Sequence, residues 1–329
     1  MNLTRRQRFI PFVLLSALGA FGSVSAGAAA PSAPIDLLTD TDFKFGLKGR
    51  DREKRPFEIR WSAKAERPVW QVAQHHSQSN VADQAWQTIR PGGFIFKDAR
   101  QWLSIHPEGE DADFVLGVNA RSELNGKLRI KDDAWPHLYL EQRISPPDGH
   151  LGPDEATLAD LAELEFGVRV RLLYDRRNVV SGHDSGIHAA QFVFFLTIQN
   201  VNRASAGHGD YFWFGVMLYD DRYPVTSLEA QRDTGSPKKP ATEKLIYDIG
   251  VKPFTERVVA AGDWVDVHGD LLPHVIAGLN EAWRSGYLGG SKNLSDYRVG
   301  SAVLGWEITG LNDAAMAVQN LHCRARTKP

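Results

Sequence analysis

The feature that most constrains this chain is a period of two among its aromatic residues. In "YFWFGVMLYD" (211–220), Phe212, Phe214, Val216 and Leu218 alternate with Tyr211, Trp213, Gly215, Met217 and Tyr219. Successive side chains of a strand point to opposite sides of the pleat, so both faces of this strand are rich in large apolar or aromatic groups. Two more segments alternate in the same way. In "EFGVRVRLLYD" (165–175), Phe166, Val168, Val170, Leu172 and Tyr174 alternate with Gly167, Arg169, Arg171 and Leu173; in "AAQFVFFLTIQN" (189–200), Phe192, Phe194, Leu196 and Ile198 alternate with Gln191, Val193, Phe195, Thr197 and Gln199. Laid side by side as a meander, the three strands have one face of Phe, Val, Leu and Ile for a core. The other face mixes Arg169, Arg171, Gln191, Thr197, Gln199, Tyr211, Trp213 and Tyr219.

Most of the remaining chain reads the same way. "ADFVLGVNA", "GKLRIK", "HLYLEQRI", "EKLIYDIG", "DWVDVHG", "SAVLGWEITG" and "AAMAVQNLHC" are short, alternating or apolar runs bounded by turn residues. No strand–helix–strand rhythm appears, which argues against a parallel sheet. The expected fold is all-β, an antiparallel β-sandwich of jelly-roll type with one or two accessory helices. "DLLPHVIAGLNEAWRSG" (270–286) spaces Leu272, Val275, Ile276, Leu279, Ala282 and Trp283 as a helix, with Asp270 as its N-cap and Trp283 stapling it to the core. A shorter helix is expected over "DEATLADLAELE" (154–165), and "QRDTGSPKKPATEK" (231–244) reads as an exposed polar loop.

The N-terminus carries a targeting signal. "MNLTRRQRF" is basic, the apolar run after it is too short to span a bilayer, and small residues precede a cleavage point after Ala26. Residues 1–26 read as a signal peptide, against the alternative of a retained anchor, and 27–329 as a single β-sandwich domain without a membrane span. Thr4-Arg5-Arg6 suggests the twin-arginine route, but the following phenylalanine is one place late, which favours general export. The expected location is a bacterial periplasm or the cell exterior. Cys323 is the only cysteine, so no internal disulfide holds the exported chain and its core must. A net charge of -2 removes any general case for nucleic-acid binding. Nine tryptophans favour sugar binding in an exported protein.

A face mixing aromatic rings with amides and guanidiniums suits a polysaccharide. Rings stack on the C–H faces of pyranoses, polar groups bond hydroxyls, and arginine forks clasp carboxylates. Gly215 would let a ligand approach the backbone. The opposing reading is that loops or the helix bury this face and that the arginines are paired with Glu141 and Asp175. In "VLGWEITG", Leu304, Trp306 and Ile308 oppose Gly305, Glu307 and Thr309, and a carboxylate so placed must be paired or functional. In "YLEQR", Tyr139, Glu141 and Arg143 share one face. "GHDSGIH" offers His183, Asp184 and His188 as zinc ligands but reads first as a loop; Asp220 and Asp221 before Arg222 suit a salt bridge more than a structural calcium. No other cofactor is implied.

"ARSEL" (Arg121, Glu123), "GIH" with "AAQF" (His188, Gln191) and "YFWFGVMLY" (Tyr211, Tyr219) together resemble motifs of alginate-lyase-type polysaccharide lyases in the concanavalin A-like lectin/glucanase superfamily. Trp213 stands where that family has a lysine. The resemblance implies a jelly roll with Arg121 and Gln191 on a uronate carboxylate, His188 as base and Tyr219 as acid of a β-elimination. Hydrolysis would instead use two carboxylates, with Glu307 and Asp220 or Glu141 as candidates. The expected protein acts on a polysaccharide, acidic or pyranose-rich, in a concave cleft; a non-catalytic carbohydrate-binding protein and a structural envelope protein are the alternatives.

Overall fold

The structure, a computed structural model, describes residues 33–51, 53–83, 86–106, 111–152, 155–178 and 180–329. The signal-peptide segment lies outside the described residues. The strands are β1 (Ile35–Asp36), β2 (Leu47–Arg50), β3 (Pro56–Ile59), β4 (Gln71–Ala73), β5 (Gln87–Arg90), β6 (Gly93–Lys97), β7 (Gln101–Ile105), β8 (Phe114–Asn119) and β9 (His137–Arg143). They continue with β10 (Leu161–Arg177), β11 (Ala190–Asn200), β12 (Tyr211–Asp220), β13 (Glu229–Arg232), β14 (Leu245–Asp248), β15 (Val265–Asp270), β16 (Tyr297–Ile308) and β17 (Asn312–Thr327). The helices are α1 (Ala120–Glu123) and α2 (Leu272–Arg284).

One sheet has the order β13-β14-β12-β11-β16-β9-β4-β2-β3; the other has β15-β10-β17-β8-β7-β6-β5, with β1 also on β17. Pairing is antiparallel apart from β12 with β14 and β2 with β4. This is the antiparallel β-sandwich that the alternation implied. The inner faces meet directly: Phe166 of β10 stacks on Phe194 of β11 with ring centroids 4.6 Å apart. Trp306 of β16 reaches across the interior, and its indole N–H donates to the carbonyl of Leu116 in β8 at 2.9 Å.

The helix α2 forms where its spacing places it. The N-cap is Leu271 and not Asp270, which stands one residue earlier, though the Asp270 carboxylate accepts the N–H of Leu272, the first helical residue, at 2.9 Å. Val275, Gly278, Leu279 and Ala282 are buried, and the helix touches β10 of one sheet and β12 of the other. A Cβ at Gly278 would lie 2.8 Å from Tyr247 and 2.9 Å from Phe212, so only glycine lets the helix sit this deep. The indole N–H of Trp283 donates to the Ser291 carbonyl at 3.0 Å while the ring packs on the core.

Three expectations are corrected, and seven short strands went unread. Residues 155–165 form no helix: Leu158, Leu161 and Leu164 are core residues, and β10 begins at Leu161. "GKLRIK" is not a strand, because the Arg129 guanidinium gathers the carbonyls of Ile130, Lys131, Asp133 and Ile187 around itself. Strands β1 to β7, two to five residues each, are too short to show a period. Most consequential, β10 does not lie beside β11. Its neighbours are β15 and β17 in the opposite sheet, and the neighbour of β11 is β16. Arg169 and Arg171 therefore project from the other side of the sandwich, where both guanidiniums lie over Trp264, at 5.4 and 4.8 Å.

Trp306 is fully buried, edge-on to Phe192 at 5.0 Å. Trp306→Ala should cost about 3–5 kcal/mol through the cavity and the orphaned Leu116 carbonyl. A fall in the urea midpoint with an unchanged slope would show this.

Candidate functional site

The outer face of the larger sheet is laid out by register. Glu307 pairs with His137 and Gln191, Gly305 with Tyr139 and Val193, Val303 with Glu141 and Phe195, and Ser301 with Arg143 and Thr197. Tyr139, Val193, Phe195 and Val303 form an apolar floor packed against Trp213, Met217 and Ile246. On this floor the carboxyl of Glu307 is held from two sides. The Tyr139 hydroxyl donates to Oε1 at 2.5 Å and the Trp135 indole N–H to Oε2 at 3.3 Å. Its side chain keeps 21% exposure, so the group remains within reach of a ligand.

Burial weakens the acidity of Glu307; the negative charge of Asp233 does so too, while the two hydrogen bonds oppose both effects. His137 cannot offset it. Burial and the neighbouring His75 push this imidazole down to about 3, so it is neutral beside Glu307, its Nε2 3.8 Å from Oε2. His75 is drawn the other way by Glu141, with Nε2 3.6 Å from the carboxylate, so its pKa is raised.

The polar loop after β13 crosses this face. Lys238 pairs with Asp133 at 2.8 Å, the Ser236 hydroxyl donates to the Asp132 carbonyl at 3.0 Å, and Lys239 lies 4.2 Å over the Trp135 ring. Arg129 also lies over that ring, at 4.7 Å. Because β14 and β9 are separated by β12, β11 and β16, the loop spans roughly 19 Å of sheet. It carries Asp233, whose carboxylate accepts from the Thr242 hydroxyl at 2.6 Å; Thr242 accepts in turn from the Trp213 indole at 3.2 Å.

A second perturbed carboxyl lies on the same face. Asp248 is 5% exposed. Its Oδ1 accepts from the backbone N–H groups of Met217 (3.0 Å) and Gly250 (2.7 Å), while Oδ2 has no hydrogen-bond partner. Burial raises its pKa to about 7. The orphan oxygen packs at Gly215, where a Cβ would lie 2.5 Å from it and 2.8 Å from the Phe195 ring. Gly215 thus makes room for Asp248 and Phe195, not for a ligand.

Several residues singled out from the sequence lie elsewhere. A bulge between Phe192 and Val193 pairs Phe192 with Tyr219, turning Tyr219 to the core side, where its hydroxyl donates to Asp175 at 2.9 Å. His188 is 2% exposed, its Nδ1 accepting from the Asp184 N–H and its Nε2 within 2.9 Å of the Arg129 carbonyl. Arg121 and Glu123 lie on α1, not on a strand; Arg121 is exposed, and Glu123 is spent on Ser77 and Gln78. With Arg169 and Arg171 in the other sheet, the elimination constellation is not assembled. Asp220 does face outward, but it is saturated by Arg222 (2.6 Å) and Gln191 (2.8 Å), and Asp221 by Arg177 (2.6 Å). Glu141 accepts from Gln71 at 3.2 Å. Tyr211, Trp213 and Gln199 share the face, with Lys244 5.5 Å over the Tyr211 ring and the Gln199 amide 3.4 Å from the Gly209 carbonyl. Among the described residues no three His, Cys, Asp or Glu side chains are placed to hold a metal ion, and no helix is long and apolar enough to cross a membrane.

Trp135, Asp233 and Asp248 were missed by sequence reasoning. Trp135 precedes a proline outside any periodic run, Asp233 sits in a polar loop, and Asp248 ends a strand too short to show which face it takes.

No protein-family model matches the sequence, and no curated protein matches it. Solved structures do resemble it. A family 11 xylanase from Neocallimastix patriciarum aligns at 9% identity and TM-score 0.38, over 77% of this chain and 99% of that one. A family 12 xyloglucanase from Bacillus licheniformis aligns at 10% and 0.41, over 78% and 100%. An endoglucanase from Rhodothermus marinus aligns at 8% and 0.35, over 78% and 99%. The fold assignment rests on the strand order itself.

Asp248 yields a pH prediction. A carboxyl whose folded pKa is raised to about 7 from 3.8 stabilises the fold fully below its unfolded pKa, and that contribution is lost as pH rises through the folded value. The native chain should lose a few kcal/mol at most between about pH 4 and 7 from this group, at about 1.4 kcal/mol per pH unit. Asp248→Asn should flatten that part of the profile in denaturation series at several pH values; parallel profiles for the two chains would refute the assignment.

Proposed function

We propose that this protein is a carbohydrate-active hydrolase that cleaves a glycosidic bond on the outer face of the larger sheet, with Glu307 as proton donor. One observation carries the reading: a reachable carboxyl, aimed by Tyr139 and Trp135 over an aromatic and aliphatic floor, with its acidity weakened by burial. A general acid must hold its proton near working pH and deliver it to the leaving oxygen, and such burial serves that need. Asp233, whose charge acts on Glu307 from the crossing loop, is the opposing carboxylate. Glu141 is a poorer partner. It stands four residues along the neighbouring strand from His137, the pairing partner of Glu307, roughly 13 Å away in backbone terms, whereas carboxylate pairs in glycosidases stand about 5–10 Å apart.

The substrate is a pyranose polymer. Arg121, Arg169 and Arg171 lie off the face, and of the cations near it Lys238 and Lys244 are paired with Asp133 and Asp210 while Arg129 and Lys239 lie over Trp135, so a neutral chain suits it better than a uronate. The apolar stretch and small-residue site within residues 1–26 support export to where polysaccharides are met.

The test is incubation of the purified chain with neutral and uronate polysaccharides, following new reducing ends and the ultraviolet absorbance of unsaturated uronates. Reducing ends from a neutral polymer are expected, with kcat lowered about 100- to 10,000-fold in Glu307→Gln. Activity should decline on the alkaline side as pH rises through the raised pKa of Glu307. Polymer retention without cleavage would make this a carbohydrate-binding protein, and unsaturated uronates would reinstate elimination.

A further inference from the structure

The outer face continues past Glu307 into a pocket. Gln191 pairs with Glu307 on one side and with Asp220 on the other, so two strand spacings, roughly 10 Å, separate the two acidic positions. Beyond Asp220 the chain turns back toward β13 and encloses about 280 Å³, lined by Gln191, Met217, Asp220, Tyr223, Glu229 and Asp248 among others.

Tyr223 is 56% exposed, the aromatic residue among the large apolar side chains left exposed in the described chain. Its ring is not free to wander. The Arg222 guanidinium lies 5.3 Å over it; that guanidinium is fixed by Asp220 at 2.8 and 2.6 Å and lies 3.3 Å from the Ser185 carbonyl. The Tyr223 N–H also closes a turn onto the Asp220 carbonyl at 3.0 Å. A pocket-lining ring restrained in this way offers a stacking platform with part of its ordering cost met before any ligand arrives. The polar lining of the pocket suits hydroxyl donors. The Gln191 amide nitrogen is given to Asp220 at 2.8 Å, which leaves its carbonyl oxygen to accept, and Glu229 adds an exposed carboxylate. The cation at the rim, Arg222, is already neutralised by Asp220, so nothing there favours an anionic sugar.

We infer that this pocket is a subsite for one neutral pyranose unit, stacked on Tyr223 and hydrogen-bonded through its hydroxyls to Gln191 and Glu229. It rests on the reading of the sheet face as a glycan site and adds a sugar position beyond Glu307 and the residue that grips it.

The experiment is calorimetric titration of the full chain with neutral hexasaccharides of β-linked glucose, xylose or mannose and with a hexauronide, repeated for Tyr223→Ala and Tyr223→Trp. Because Tyr223 is exposed, both variants should unfold thermally like the native chain. At least one neutral hexasaccharide should bind better than the hexauronide, Tyr223→Ala should weaken that binding about tenfold, and Tyr223→Trp should restore it. If the native chain binds a neutral hexasaccharide and Tyr223→Ala binds it equally, or if tryptophan fails to restore the loss, the subsite is overturned while the glycan site stands. If the native chain prefers the hexauronide, the subsite and the neutral-substrate reading fall together; if it binds none of the oligosaccharides, the glycan reading itself falls.

Discussion

The Trp306 indole N–H bonded to the Leu116 carbonyl across the interior is the contact on which the rest of the site depends. A ring of this size can be fully buried only where its polar edge finds an acceptor, and here the acceptor belongs to the other sheet. That requirement sets the parity of β16. With Leu304, Trp306 and Ile308 committed inward, Glu307 must project outward, and the register of β9 then delivers Tyr139 beside it. The candidate acid is thus positioned by a hydrophobic anchor one residue away.

Around that anchor, burial does two different things to carboxyls on one face. Glu307 is partly reachable, and both of its oxygens accept hydrogen bonds that fix its orientation. Asp248 is sealed, with one oxygen on two backbone amides and the other against Gly215. Desolvation raises both pKa values, yet only Glu307 has geometry suited to chemistry. Low acidity without access is a structural cost, whereas with access it is a resource.

The loop from β13 to β14 crosses the face that carries Glu307. It brings Asp233 toward Glu307 and is tied to the 129–135 segment by one ion pair, one hydrogen bond and the Lys239–Trp135 contact. Exposed contacts of this kind are each worth little, from near zero to about 1 kcal/mol. Its sequence shows only polarity and proline; its destination depends on Asp132, Asp133 and Trp135, about a hundred residues earlier.

Alternation alone determined β8 to β12 and β14 to β17, though it missed the short edge strand β13 and offered 126–131 wrongly; it also determined the inward set of Phe192, Phe194, Phe212, Phe214 and Trp306, and the outward course of Glu307 and Tyr139. These follow from a local rule, the period of two in a pleated backbone, which holds wherever a strand is placed. Three matters were decided only by tertiary structure. Which sheet β10 joined, and with it the fate of Arg169 and Arg171, depended on pairing with β17 nearly 150 residues away. The inward turn of Tyr219 depended on a bulge, which adds one residue and resets parity without a mark in the sequence. The partners of Glu307 came from separate segments, with Trp135 and Asp233 outside any periodic run. A single sequence specifies what each side chain prefers to touch; which other side chain it meets is set by the long-range pairing of strands that the local pattern does not encode.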